Sequence, residues 1–251
     1  MRNLNLKSIV FAVLFLTFSV SAFSQSKEEI KKMTYEAYVK NSETLQKDLV
    51  EKLEKKVEKD PSVANRYQLL EAQFVLLNGT MSAKNEDLFD DYADDAVDNA
   101  EEILDSEKKH AKTNALLSAI YGFKIAYSPM KGMFLGGKSS DLAKNSTKYD
   151  ENEPIAWLKY GGNKMYTPET WGGDKKVALE SFEKAVTLFE ANETNCNVHN
   201  FHYLDALANL GMAYQQAGET DKAIATYEKA LNAEPDFMWV KMSLLPSAKK
   251  S

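Results

Sequence analysis

Residues 204–237 read LDALANLGMAYQQAGETDKAIATYEKALNAEPDF. Leu207, Leu210, Gly211 and Tyr214 fall at i, i+3, i+4 and i+7, so three bulky groups and a gap share one face of a helix. Gly218 then breaks the pattern. A second helix is expected to start at Thr220 or Asp221, because Thr220 can cap free amides and Asp221 suits the positive end of a helix dipole. Ala223, Tyr227 and Ala230 present small, large, small where the first helix presents large, small, large, so the two faces interlock. Pro235 closes the unit, since proline cannot continue a helix.

This spacing resembles the tetratricopeptide repeat, a 34-residue helix pair. Leu207 stands where that family has Trp, and Leu210, Gly211, Tyr214, Gly218, Ala223, Tyr227, Ala230 and Pro235 stand at its other landmark positions. One helix pair cannot bury its outer faces, so the resemblance implies at least about three stacked units. The fold class expected is all-α, a helix-turn-helix repeat solenoid with helical caps.

Upstream, Ala156-Trp157-x-x-Tyr160-Gly161 resembles the opening of another such repeat, completed by Ala178, Phe182 and Ala185. Ala119, Tyr121, Gly122 and Tyr127 correspond to Leu158, Tyr160, Gly161 and Tyr166 at an offset of 39 residues. Two degenerate repeats are therefore placed at 110–152 and 153–192. Their extra length is assigned to loops: Ser128-Pro129 leads to Gly136-Gly137, and Thr167-Pro168 leads to Gly172-Gly173. Before them, Val63 to Leu77 and Leu88 to Leu104 have helical spacing and form a degenerate pair over 62–106. Residues 26–60 read as an N-terminal helical cap interrupted at Asn41-Ser42, and 237–251 as a capping helix, with Met238, Met242 and Leu245 inward, followed by a loose tail.

The N-terminus is of a different kind. Arg2 and Lys7 precede an apolar run from Ile9 to Val20, and Ala22-Phe23-Ser24 offers small residues for a signal peptidase. The run is shorter than the ~20 residues a membrane span needs. Residues 1–24 therefore read as a cleaved signal, and 25–251 as one exported repeat domain, periplasmic or secreted, without a membrane span. Losing Arg2 and Lys7 makes the formal net charge of −6 more negative by two, which argues against a nucleic-acid partner. Cys196 is the only cysteine, so no internal disulfide can form.

Three motifs carry possible chemistry. Gly132 to Ser139 satisfies the P-loop pattern Gly-x-x-x-x-Gly-Lys-Ser, but the preceding Ala115 to Tyr127 is helical in spacing where a P-loop needs a buried strand. Cys196, His199 and His202 could hold a soft metal, but they supply three ligands where a closed site usually takes four. Residues 86–107 hold eleven acids and no Lys or Arg, a solvated face or a seat for a cation or basic segment. No cofactor is called for, and no nucleophile-base arrangement can be argued from three histidines, so the chain reads as a non-enzyme.

In the tetratricopeptide family the first helices of successive pairs line a concave groove that receives a peptide. By that resemblance the groove here shows Phe123 and Tyr127, then Leu158, Met165 and Tyr166, then Asp205, Met212 and Gln215. The function implied is a scaffold for a protein or peptide partner. The alternative is a small-ligand or divalent-cation-binding protein that uses the glycine loops or the acidic helix.

Overall fold

The computed structural model describes residues 27–191 and 199–250; residues 1–24 and Cys196 lie outside them. Among the described residues there are eleven α-helices and no strand. They follow one another as α1 (27–40), α2 (Glu43–Lys59), α3 (Val63–Ala83), α4 (Glu86–Ser106), α5 (Ala111–Tyr127), α6 (Gly132–Tyr149), α7 (Pro154–Tyr166), α8 (Lys175–Ala191), α9 (Phe201–Gln216), α10 (Thr220–Ala233) and α11 (Leu245–Ala248). From α3 onward consecutive helices pack as antiparallel pairs, and each pair packs on the next, so the chain is a helix-turn-helix solenoid.

The helix starts follow from local chemistry. Asn85 accepts from the Leu88 amide, Glu153 from the Ile155 amide ahead of Pro154, and Asp174 from the Lys176 and Val177 amides, so α4, α7 and α8 each begin on a capped turn. His110 caps α5 by accepting from the Thr113 amide on Nδ1. At the end of α9 the Glu219 amide returns to the Tyr214 carbonyl and the Gly218 amide to Gln215, a Schellman turn that needs the positive φ of 77° at Gly218. Thr220 is the first helical residue of α10 rather than its cap, and Glu219 holds the cap position without a side-chain bond.

The interlock read from the sequence is present. A Cβ on Gly211 would enter the ring of Tyr227, and one on Gly161 would lie 2.7 Å from the Phe182 ring, so both large residues fill the gap left by a glycine in the facing helix. Tyr227 and Phe182 are fully buried. The upstream pair departs from the expected register. Gly122 is exposed with open space around it, and the small-on-small contact is made one turn earlier, where Ser118 donates to the Ser139 carbonyl at 2.7 Å and Ser139 returns a bond to the Ser118 carbonyl at 2.9 Å. The matching position to Gly161 is therefore Ser118, and α5 is a turn longer than α7.

The glycine pair Gly136-Gly137 is not in a loop. It lies inside α6, with only the short 3₁₀ turn Pro129–Lys131 before it. The same fact disposes of the P-loop pattern, because Gly132 to Ser139 is helix and its backbone is committed to helical hydrogen bonds. At the C-terminus a π-helical turn, Val240–Leu244, shifts the phase of the last segment. Phe237, Val240 and Ala248 are buried, while Met238 and Met242, expected inward, are exposed. The tail is held: Ala248 is helical and Lys249 reaches Glu228 at 3.1 Å.

The first and last pairs also touch. Phe74 of α3 stands 6.5 Å from Phe201 of α9, and Glu71 lies 3.1 Å from His202. Helix α1 reaches the same place, with the Tyr38 ring 5.1 Å from Phe201 and 5.7 Å from Phe237. The inner helices thus close on one another.

Candidate partner-binding surface

Closure of the array determines what the expected groove residues do. Asp205 sits at the centre, 7% exposed. Its carboxylate accepts from Lys159 Nζ at 2.7 Å, from Asn209 Nδ2 at 2.9 Å and from the Tyr38 hydroxyl at 3.3 Å. Lys159 is equally buried and lies 4.1 Å from the Phe74 ring centroid, so its charge is held by one carboxylate and one aromatic face. Burial, then the Asp205 charge, raises the Tyr38 phenol well above its ordinary pKa. These three contacts engage both carboxylate oxygens of Asp205, and burial among them keeps it from open solvent.

Leu158 and Met165 are core, 1% and 7% exposed, and do not line an open groove. Phe123 stacks on Phe74 at 5.6 Å. Tyr127 packs on Phe89 at 4.5 Å and donates to the Thr80 carbonyl at 2.7 Å, which ties α5 to α3 and α4. Gln215 accepts from the Tyr227 hydroxyl at 2.7 Å, and Met212 is partly buried against the core. Tyr166 alone of the eight has a mostly exposed side chain, 62%, although its hydroxyl turns inward to Asn209 at 3.3 Å and is pushed up to about 12, first by burial and then by Asp205. The structure thus brings Tyr166 and Asp205 together around Asn209 and directs the remaining residues into packing.

Sequence reasoning missed Lys159, Tyr38, Phe74 and Glu71, and it weighed His202 as a metal ligand where the structure pairs it with Glu71. Lys159 sits between Leu158 and Tyr160, both landmark positions of the degenerate repeat, and a cation between them was the available signal. His202 is buried with Nδ1 unpartnered, and burial holds its pKa below the ordinary value despite the neighbouring Glu71. Of the Cys/His trio, Cys196 lies outside the described residues; among the described residues no His, Cys, Asp and Glu group stands close enough to hold a metal.

The exposed apolar side chains lie elsewhere. Met130, Met133 and Phe134, at the α5–α6 turn, are 76%, 63% and 75% exposed, and Trp171, in the α7–α8 turn, is 62% exposed. The two turns are neighbours. Asn163 of α7 donates to Ser139 of α6 at 3.2 Å, and the helices run antiparallel, so one turn on from Asn163 and one turn back from Ser139 Tyr166 stands beside the start of α6. The α5–α6 and α7–α8 turns therefore lie at the same end of successive helix pairs, while the Tyr166 side chain is directed to Asn209 on α9. At the opposite edge a shallow polar cleft between the α4–α5 and α6–α7 turns is lined by Lys109, His110, Lys112 and Glu153, with Lys112 paired to Glu153 at 3.5 Å.

Comparison with known proteins agrees with the architecture. The family profile of the tetratricopeptide repeat matches residues 204–237. A thermophilic tetratricopeptide protein of Thermus thermophilus superposes with a TM-score of 0.59 at 15% identity, over 89% of this chain and 99% of that one. BtubC of P. vanneervenii gives 0.44 at 16% identity over 84% and 83% of the two chains. YrrB, whose structure is described as that of a tetratricopeptide protein with an unusual peptide-binding site, gives 0.41 at 16% identity over 92% and 98%. No curated protein matches the chain.

Proposed function

We propose, for a chain with one intact tetratricopeptide repeat and the tetratricopeptide solenoid fold, that it works outside the cytoplasm as a non-catalytic scaffold for a protein partner. Export rests on the charged start, the apolar run Ile9 to Val20 and the Ala22-Phe23-Ser24 site. No helix among the described residues is long and apolar enough to cross a membrane. The observation that carries the scaffold reading is the cluster of large apolar side chains left in solvent at successive helix-pair turns, in a molecule with a continuous buried core. Apolar groups gathered at one edge in this way mark interaction sites. We accordingly assign the partner to the turns that carry Met130, Met133, Phe134 and Trp171 and give the inner face a structural role.

The test is chemical cross-linking in the native host with tagged full chain, comparing wild type with Phe134→Ala/Trp171→Ala and with Met212→Ala. Capture of a defined protein that the edge variant loses and Met212→Ala keeps is the expected result. Capture that depends on Met212 alone would return the site to the inner face. Absence of any specific capture would remove the scaffold reading. Export is tested separately: the mature protein's N-terminus should fall near Gln25, and a chain recovered with Met1 intact would contradict it.

A further inference from the structure

The partner's chemistry can be narrowed, on the premise that the scaffold reading holds. The apolar edge is continuous with the start of α4. Tyr127, the last residue of α5, packs on Phe89, and Lys124 is ion-paired with Asp94. The hydrogen bond and charge of Lys124, and after them the charge of Lys131 in the turn that carries Met130, hold the Asp94 carboxyl below the ordinary range. From Asp94, which faces this turn, the exposed acids Asp87, Asp90, Asp91, Asp95 and Asp98 extend over the outward surface of α4 towards α2. Among the described residues none of these five has an ion-pair partner.

The crowding extends onto the neighbouring helix α2. The Glu54 carboxyl is raised by burial and then by Asp95, Glu51 and Glu58, and Tyr92 is raised by burial and then by Glu54 and Glu51. Like charges at this spacing weaken a helix by a few tenths of a kcal/mol per pair. A cationic partner relieves that repulsion on arrival, and its approach is accelerated by the field. An anionic bilayer meets the opposite situation, since the acids beside the apolar tips repel its headgroups.

We propose that the edge of Met130, Met133, Phe134 and Trp171 docks a polypeptide segment in which apolar side chains are flanked by Lys or Arg, the apolar groups seating on the turns and the cations on the acidic face of α4. The turns supply affinity and the acids supply orientation and rate.

The experiment uses the purified full mature chain and three probes: an amphipathic helical peptide of Leu and Lys, its Leu and Glu counterpart, and vesicles of phosphatidylglycerol. Binding is followed by titration at ~50 and ~200 mM salt. The expected result is binding of the Leu/Lys peptide alone, weakened at least about tenfold by Phe134→Ser/Trp171→Ser. In Asp90→Asn/Asp91→Asn/Asp95→Asn the salt dependence should be largely lost. A control variant at the other exposed apolar patch, Met238→Ser/Met242→Ser, should bind as wild type; circular dichroism confirms that each variant is folded.

Equal binding of the Leu/Glu peptide, binding to vesicles in preference to peptide, or indifference to Phe134→Ser/Trp171→Ser would overturn the proposal. The native cross-linking separates this failure from failure of the scaffold reading. A captured partner whose edge-bound segment is acidic leaves the scaffold standing and removes the basic partner.

Discussion

At the residue scale the buried pair Lys159–Asp205 is the most exacting feature of the molecule. Two charges 2.7 Å apart, each nearly sealed from water, are tolerable because Tyr38, Asn209 and the Phe74 ring complete their surroundings. Removing one partner leaves the other buried and uncompensated. Asp205→Ala should destabilise the chain by ~3–5 kcal/mol in urea titration, while Asp205→Leu/Lys159→Met should recover most of that loss. A small effect of the single change would show that water reaches Lys159. His202 supplies a pH dependence. Burial lowers its folded-state pKa, with Glu71 and Asp205 opposing and Lys159 reinforcing the shift. His110 is lowered too, mainly by burial. The unfolded chain then takes up protons before the folded one. This contribution is whole above about pH 6.5 and is lost as the pH falls below it. The urea midpoint should therefore drop between pH 7.5 and pH 5.5, and His202→Gln should flatten part of that drop.

At the scale of elements, α6 carries the clearest prediction. Gly136 and Gly137 sit inside the helix with nothing near a would-be Cβ, so they weaken it without serving any contact in the fold. Replacing each by Ala should stabilise the protein by ~0.5–1 kcal/mol, read as a higher melting temperature. A lower melting temperature would mean that the glycines are needed for a conformation this helix does not show. The boundary of α6 was hard to read because Pro129 precedes it and Gly132, Gly136 and Gly137 fill its first turns, all poor helix formers whose preference is overridden by helix–helix packing. The pairing of α9 with α10, by contrast, was legible to the residue, since Gly211 and Tyr227 form a local small-large contact only sixteen positions apart. The one-turn slip between α5 and α7 was not legible. Gly122 and Ser118 lie on one helix face four residues apart, and only the partner helix decides which of them is contacted.

At the scale of the whole molecule, contacts between α3 and α9 and between α1 and α9 join the ends of the array. An open solenoid is stabilised through neighbours only and can unfold piecewise. Here the first and last pairs share Phe74, Phe201, His202 and Tyr38, so they should unfold together. Circular dichroism at 222 nm and the fluorescence of Trp157, Trp171 and Trp239 should give coincident urea transitions; a separate early transition from one end would contradict the closure. The same closure accounts for the fate of the expected groove. Residues assigned to it by position, such as Leu158 and Asp205, meet other first helices where an open array would leave them to a ligand.

The sequence by itself determined the all-helical class, the repeat at 204–237 and the phase of its two helices, because each depends on periodicity and on residues a few turns apart. It also carried the acidic face of α4, which is a property of composition. The tertiary structure decided the rest: how tightly the array curls, which of two equivalent small residues faces its neighbour, and which apolar side chains remain in water. These outcomes arise from packing between segments as distant as Tyr38 and Asp205, 167 positions apart. No local pattern encodes such contacts, since their energies depend on the summed angles of every intervening helix pair.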